Sequence, residues 1–398
     1  MKNKEKLLVV SAISPFPKIS GGAVRIYNTI KYLSEKFELY LIFFIPQDST
    51  LNPEDIFFLK EKTKFFTYFY QKPEKDYFSF INEFQPYWFS DWDDDELKIY
   101  LPKLIRENQI RKVQIEFTQL LYLSSYIPSA VKKIFVALDI STVSFWRRLF
   151  ELRNPLTFFI HFVRWIEIYL YEKYYLPMYD LIVTMSENDK KILAKNFKIK
   201  NILVKPNGVD GINFLEKKTD KIINLGYIGS FNHPPNRNAI AFFINEIAPL
   251  LEKNKINFRY FIAGANNPAN IKKIVNHSSL KNKRKIINLG EVEKVEDFYQ
   301  KIDVLICPIF SGSGTRIKIL EALSFGVPVI TSAIGAEGIN INSQYLSIAN
   351  SKNEFIKEII KFTKKNPKLN EAEQIKLQNS IRPLLWRNIF KNYSNNIL

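Results

Sequence analysis

Between Ser311 and Ile339 the chain reads SGSGTRIKILEALSFGVPVITSAIGAEGI, a stretch whose residue types suit a phosphorylated ligand. Gly312 and Gly314 form a glycine-rich loop after an apolar run, Val304 to Ile309, that predicts a buried strand. The residues from Thr315 to Phe325 predict a helix, with Gly326 as its stop signal and Pro328 opening the next apolar strand. Helical counting puts Gly314, Lys318 and Glu321 on one stripe (i, i+4, i+7), while Ile317, Leu320 and Ser324 follow another. One face then offers bare backbone N–H groups, a cation and a carboxylate. That combination fits a nucleotide diphosphate: amides and the helix dipole for phosphate, Arg316 or Lys318 for charge, Glu321 for ribose hydroxyls. The alternative is an ordinary strand–helix turn with Lys318 and Glu321 as an exposed i, i+3 pair.

Other constellations are weaker. Gly21 and Gly22 precede a predicted helix, where they either let backbone amides approach the same phosphate or make a plain turn. Arg25, one turn further on, either reaches that ligand or is solvated. Asp91-Trp92-Asp93 has the Asp-x-Asp form of a divalent-metal motif, but it lies in SDWDDDELKIYLPKLI. There, Ser90 or Asp91 is a good N-cap and first-turn acids complement the helix dipole. The helix-start reading is preferred. Asp139, at the end of a predicted strand, touches a sugar or acceptor or caps the helix that follows. His161, His233 and His277 are far apart, and no Cys/His spacing points to zinc. Phe158, Phe162, Trp165 and Tyr169 recur at helical spacing. The mixed charge of Arg164, Glu167 and Glu172 favours core packing for them over an interfacial membrane helix.

These groups must be positioned by a chain of 398 residues, long enough for two cores. Hydrophobic residues make up 46% and charged residues 24%, a globular rather than disordered balance. No apolar stretch reaches membrane-spanning length, and the N-terminus lacks the pattern of a secretory signal. The single cysteine, Cys307, fits a reducing compartment, so a cytoplasmic location is expected. A formal charge of +17 points to anionic partners. The lysines are dispersed and no nucleic-acid recognition motif is present, so nucleic acid is not expected. Phosphorylated ligands and peripheral docking on an anionic inner membrane face are the remaining expectations.

Apolar runs alternate with helical patterns twice along the chain. In the first half, strands are predicted at Leu7–Ile13, Glu38–Ile45, Lys112–Phe117, Lys133–Leu138, Asp180–Thr184 and Asn201–Val204, with a helix over 23–36. After the polar stretch from Glu216 to Asp220 the alternation restarts: strands at Ile222–Ile228, Phe258–Ala263, Lys285–Leu289, Val304–Pro308 and Val327–Thr331, and helices over 235–252 and 295–301. The fold class is α/β, two Rossmann-like doubly wound parallel sheets. Trp386, Phe390 and Tyr393 lie at helical spacing in a last helix.

The 311–339 segment closely resembles the donor-site motif of retaining glycosyltransferases of the GT-B fold, in the family-four group (glycosyl transferases group 1). Three further stretches resemble that family in order and spacing. They are Asp180-Leu-Ile-Val-Thr-Met-Ser186-Glu-Asn-Asp189, Lys205-Pro-Asn-Gly-Val-Asp210 and Gly226-Tyr-Ile-Gly-Ser-Phe-Asn-His-Pro-Pro-Asn236. Two positions depart from the pattern: Ser313 stands where the group usually has the first of two glutamates, and Leu138 where a histidine often precedes Asp139. The resemblance implies domains at 1–215 and 216–375 facing across a cleft, with residues 376–398 returning to the first. It implies metal-independent transfer, with retention, from a nucleotide-sugar donor to a glycan, lipid-linked or protein acceptor, and no cofactor. The implied catalytic residues are Arg316, Lys318 and Asp139. Gly22, Gly229, Ser230, Val292, Gly314, Thr315 and Glu321 would contact the donor, with backbone at Glu291-Val292 against the base. A non-catalytic nucleotide-sugar-binding subunit and a sugar-nucleotide epimerase of the same fold are the alternatives.

Overall fold

The computed structural model of the chain describes residues 4–72, 85–152, 154–216, 222–264, 268–312, 314–341, 344–364 and 370–397. Most of the apolar runs become strands because both of their faces are covered: Leu7–Val10, for example, are all fully buried. The chain divides into two compact units. One is Met1–Pro206 with Gly312–Gly314 and Phe390–Leu398; the other is Asn207–Ser311 with Thr315–Ile389.

In the first unit, strands β1 (Glu5–Ser11), β2 (Phe37–Ile45), β3 (Phe65–Tyr70), β4 (Lys112–Glu116), β5 (Lys132–Ala137), β6 (Leu181–Thr184) and β7 (Ile202–Val204) form one parallel sheet. Its order is β3-β2-β1-β4-β5-β6-β7. Helices α1 (Gly21–Leu33), α2 (Pro53–Lys62), α3 (Asp95–Glu107), α4 (Ser141–Leu149), α5 (Pro155–Tyr175) and α6 (Glu187–Asn196) belong to the same half. In the second unit, β8 (Ile223–Ile228), β9 (Phe258–Ala263), β10 (Ile286–Gly290), β11 (Val304–Cys307), β12 (Val329–Thr331) and β13 (Leu346–Ile348) are again parallel, in the order β10-β9-β8-β11-β12-β13. Its helices are α7 (Pro234–Phe242), α8 (Ala248–Lys253), α9 (Pro268–His277), α10 (Val295–Lys301), α11 (Ile317–Ser324), α12 (Lys352–Lys364) and α13 (Glu371–Ile381). The last helix, α14 (Trp386–Ile397), starts in the second unit and ends in the first.

Several expectations need correction. Edge strands β3 and β13 were not anticipated: FFTYFY is only partly covered, and LSI spans three residues. The acidic run starts its helix later than expected, with Asp94 as N-cap accepting from Leu97 N at 2.9 Å. Residues 87–92 form a 3-10 turn instead, and Asp93 pairs with Lys98 at 2.6 Å. The 235–252 helix is interrupted by a π-turn at Phe243–Ile247. Pro249 lacks the N–H that would close the next α-turn, so the ladder widens just before it. Of the stretch from Glu216 to Asp220, residues 217–220 lie outside the described residues.

Helix α5 departs most from expectation. Three of its four charged residues are buried: Arg164 is 3%, Glu167 8% and Glu172 2% exposed, while Lys173 faces outward. Arg164 and Glu167 pair at 2.8 Å, with the guanidinium 4.6 Å from the Tyr87 ring centre. Glu172 accepts from the backbone N–H groups of Ser141 (2.9 Å) and Thr142 (3.2 Å), capping α4 from outside that helix. Of the aromatic stripe expected in the core, Phe158 is exposed, Phe162 and Trp165 are half-buried and Tyr169 packs against the core. Ile168 and Tyr171 are buried beside these charges, while Leu156, Phe159, Ile166, Leu170 and Tyr174 point outward.

Arg25 corrects a second expectation. It is fully buried, and its Nη1 donates to Pro206 O at 2.9 Å and more weakly to Lys205 O. Beside it, Gln114 Nε2 donates to Glu116 Oε1 at 2.6 Å, and Tyr393 Oη of α14 donates to Gln114 Oε1 at 2.7 Å. Trp386, Phe390 and Tyr393 are each buried. Tyr393→Phe leaves Gln114 Oε1 without this donor in a dry site. Its expected cost is about 1–3 kcal/mol in urea unfolding, the range for a buried polar group left unsatisfied. A change under about 0.5 kcal/mol, as for an ordinary surface substitution, would deny this contact a role in holding α14.

Candidate functional site

In the second sheet, β8 and β11 are neighbours from which the strand order runs outward in both directions. Such a switch point leaves a crevice beyond the carboxyl ends of the strands, where open parallel sheets bind ligands. Three strands end in glycine there. Gly229 N donates to Ala263 O (3.0 Å) and Gly264 N to Gly290 O (2.8 Å), so β8, β9 and β10 finish in one hydrogen-bonded row. A side chain at Gly264 would put its Cβ 1.9 Å from Gly229 O, and the φ of +149° also favours glycine. Val292, partly buried against the core, follows this row two residues after Gly290.

On the other side of the switch point, β11 runs into the glycine-rich loop and α11. The helix starts at Ile317 with Arg316 as N-cap, two residues later than the sequence predicts. Gly314, at φ +79°, is therefore a loop residue and leaves the expected stripe, which reduces to Lys318 and Glu321. Ser313 lies outside the described residues. Thr315 is buried, and its carbonyl accepts from Asn207 Nδ2 at 3.2 Å, tying the Pro-Asn-Gly turn to the start of the motif. Arg316 Nη2 donates to Ser311 O at 3.2 Å, which holds the loop closed on itself.

Lys318 and Glu321 do not form an exposed pair. The Lys318 ammonium donates to Tyr227 Oη and Asn236 Oδ1, both at 3.0 Å, and sits 4.2 Å from the Tyr227 ring centre. Tyr227 in turn donates to Asn236 Oδ1 (2.6 Å), while Asn236 Nδ2 donates to Ser230 O (2.7 Å). A Cβ on Gly229 would lie 2.5 Å from the ammonium nitrogen, so glycine is what admits this cation to the β8 edge. Burial pulls the Lys318 pKa down to about 8, with Arg316 adding to the effect and Glu321 opposing it.

Glu321 is held by Tyr299, whose hydroxyl lies 3.2 Å from Glu321 Oε2 and 2.9 Å from Lys318 O. Burial raises the Glu321 carboxyl to about 7, against the Tyr299 hydrogen bond and the nearby lysine, which favour the charged form. Gly229, Ser230, Lys318 and Glu321 thus share one network with Tyr227, Asn236 and Tyr299. Tyr227 and Asn236 stood in a recognised stretch without an assigned role. Tyr299 gave no signal, because its partner lies 22 residues away on another helix.

The remaining candidates lie in the first unit. Gly22 sits in the first turn of α1, capped by Ser20, where an added Cβ would fall 2.8 Å from Ile13 Cδ1 and 3.0 Å from Phe117 Cζ. Packing leaves little room for a Cβ at that position. Asp139 follows β5 and accepts from Ser144 Oγ at 3.0 Å. The Gly312–Gly314 loop tip clusters with this unit: Arg147 Nη1 donates to Gly312 O at 2.7 Å. A Cβ on Gly314 would meet Leu138 O at 2.5 Å and lie 3.9 Å from Asp139 Cβ. Asp139 and Gly314 are therefore neighbours.

Known proteins with related sequence or architecture bear on this site. An uncharacterized 44.6 kDa protein in the cps region of Klebsiella pneumoniae is 26% identical over 149 residues, 35% of this chain and 37% of that protein. The chain thus spans little more than a third of this curated relative. Sucrose-phosphate synthase from Thermosynechococcus elongatus superposes with a TM-score of 0.72 at 11% identity, covering 99% of this chain and 98% of that one. The E. coli trehalose-6-phosphate protein bound with UDP-2-fluoro glucose superposes with a TM-score of 0.66 at 10% identity, covering 98% and 99%. Residues 223–365, which contain the whole Gly229–Lys318–Glu321 network, match the family model of glycosyl transferases group 1, and the chain as a whole has the two-sheet GT-B fold.

Proposed function

We propose that this protein is a retaining glycosyltransferase that works without a metal ion, moving a sugar from a nucleotide-sugar donor to a glycan, lipid-linked glycan or protein acceptor. The observation that carries the reading is the Lys318 ammonium lodged against the Gly229 backbone at the switch point. As the glycosidic bond breaks, negative charge grows on the departing diphosphate. Lys318, Arg316 and the amide end of α11 oppose that charge, which is what a divalent ion would otherwise supply. Arg316 first has to exchange its contact with Ser311 O for the phosphate. Glu321 accepts from the ribose hydroxyls, and backbone at Glu291-Val292 faces the base. Gly22, Gly229, Ser230, Gly314 and Thr315 are assigned to the donor, and Asp139 to the sugar or acceptor. Retention rests on the likeness of the 311–339 segment to retaining enzymes.

The direct test incubates purified protein with a panel of nucleotide sugars and saccharide acceptors, following nucleotide release and the anomeric configuration of the product by NMR. Retained configuration is expected. Nucleotide sugars that raise the melting temperature but are never consumed would instead favour a binding subunit. Melting resolves this, because ligand at about a hundredfold over its Kd adds roughly 2.7 kcal/mol.

Two further outcomes follow from the charges. Lys318→Ala should lower kcat at saturating donor on the order of a hundredfold or more, as for a lost oxyanion donor. A raised donor KM with unchanged kcat would make Lys318 a phosphate anchor only. The pH profile tests Glu321. Its carboxyl is neutral below about 7 and Lys318 loses its proton above about 8, so donor kcat/KM should rise through the first value and fall through the second. Tyr299→Phe removes a hydrogen bond that favours the carboxylate, and the acidic limb should then move to higher pH. An acidic limb that stays in place would show that another group titrates.

A further inference from the structure

The positive charge of this protein is concentrated. Residues 252–285 carry nine lysines and arginines against one acid, Glu252, so less than a tenth of the chain holds +8 of its +17. The fold gathers these cations at one end of the second sheet. Lys253 and Lys255 lie where α8 turns into β9, and Lys281 and Arg284 lie in the turn before β10, the edge strand beside β9. Glu252 ties the two turns together: it accepts from Lys281 N at 3.0 Å and Asn282 N at 3.3 Å, and pairs with Lys285 at 3.4 Å. The one acid of the stretch is therefore engaged within the patch. Lys253, Lys255, Lys281 and Arg284 are all exposed. Helix α9 adds exposed Lys272 and Lys273, and its end is fastened to the second turn by Lys283 Nζ, which donates to Asn276 O at 2.6 Å.

We infer that this patch binds an acidic glycan, a sugar polymer that carries carboxylate or phosphate groups. Position separates it from the donor crevice. The patch sits at the amino ends of β9 and β10 and the crevice at their carboxyl ends, so the six residues of β9 put them roughly 20 Å apart. In the transferase reading the donor diphosphate is met by Lys318 and Arg316, which leaves these lysines to another anion.

Composition selects that anion. Separate cations on two turns and a helix suit a flexible chain with repeated negative charges, which sheds its counterions on binding. Among the described residues the stretch exposes no large apolar side chain, whereas hot spots of protein interfaces are built on such anchors. It likewise has nothing to enter a bilayer or to stack on a nucleotide base. Asparagines stand between the cations instead: Asn254, Asn257, Asn276 and Asn282 are exposed, and their amides can donate to and accept from sugar hydroxyls. The choice of a glycan rests on the transferase reading, in which a glycan is an acceptor. A contact remote from the reacting end would hold a growing acidic chain at the enzyme and raise its effective concentration there.

The test follows binding of the full chain, without nucleotide sugar, to fluorescently labelled polygalacturonate and to neutral dextran by anisotropy. Polygalacturonate should bind about tenfold or more tightly than dextran, and log affinity should fall linearly with log salt. The variant Lys253→Gln/Lys281→Gln/Arg284→Gln alters only exposed side chains and keeps the backbone contacts of Glu252, so its circular dichroism should be unchanged. Its affinity for polygalacturonate should fall on the order of tenfold or more, with a shallower salt slope. A control that removes three exposed cations of the first unit, Lys60→Gln/Lys191→Gln/Lys195→Gln, should change affinity less than about threefold, since only the summed charge is altered. Equal losses in the two variants, or equal binding of dextran, would overturn the inference. So would tighter binding to an oligonucleotide of matched charge or to phosphatidylglycerol vesicles, lost in the patch variant, which would give the patch to nucleic acid or membrane. Binding is read without a donor, so a failed patch and a failed transferase reading give different results: the first abolishes polymer binding, the second only turnover.

Discussion

The second unit is organised around one buried cation. Three separate pieces of chain converge on the Lys318 ammonium: the end of β8 through Tyr227 and Gly229, the start of α7 through Asn236, and α11 itself. Removing an ammonium group from water is costly unless hydrogen bonds and charges replace its hydration. Here two neutral oxygens and an aromatic face do so incompletely, which is why its proton is held less firmly than usual. An anionic ligand at the strand ends would supply the missing compensation. Ligand binding and proton retention by Lys318 are then linked, each favouring the other. The cation's position also bears on Gly229, where a Cβ would lie 2.5 Å from the ammonium nitrogen.

A comparable constraint operates at the C-terminal end of β4 in the first unit. Arg25, Glu116, Gln114 and Tyr393 are all buried together. Burial lowers the Arg25 pKa and raises that of Glu116 to about 7, so desolvation outweighs the attraction between them. Apolar residues of like volume would pack here at less cost. What the polar set adds is direction: the guanidinium fixes the carbonyls of Lys205 and Pro206 where the chain leaves the first unit, and Tyr393 ties α14 to β4.

The sequence makes the backbone of this architecture legible, and the reasons are local. Buried parallel strands are continuous apolar runs, and Gly229 and Gly264 after two of them mark places where a Cβ has no room, so β8, β11 and the glycine-rich loop before α11 stand out. Edge strands are less visible because half-covered residues lose the apolar signal, as in Phe65–Tyr70. Lys318 and Glu321 are legible as a pair, but their partners are not. The hydroxyl of Tyr299 reaches Glu321 only because the fold brings this α10 residue to α11, a relation no local pattern encodes. At Gly22 the sequence does not show the packing constraint, which comes from Phe117 and Ile13.

Helix α5 shows where pattern reading reverses. Periodicity identifies an apolar stripe and a mixed-charge stripe, and the usual assignment sends charge to solvent. In this helix the charged stripe has the better partners inside. Arg164 and Glu167 satisfy one another over Tyr87, and Glu172 meets the first amides of α4, which have no acceptors of their own. Burial holds the Glu172 carboxyl up at about 7, so the cap is retained against a real desolvation cost. Its place in the chain suggests why. Ser141 follows Asp139 by two residues, so the carboxylate that organises α4 also fixes the backbone that carries Asp139. The helix with the outward apolar face is thus the one that sets the geometry next to the candidate sugar-contacting aspartate.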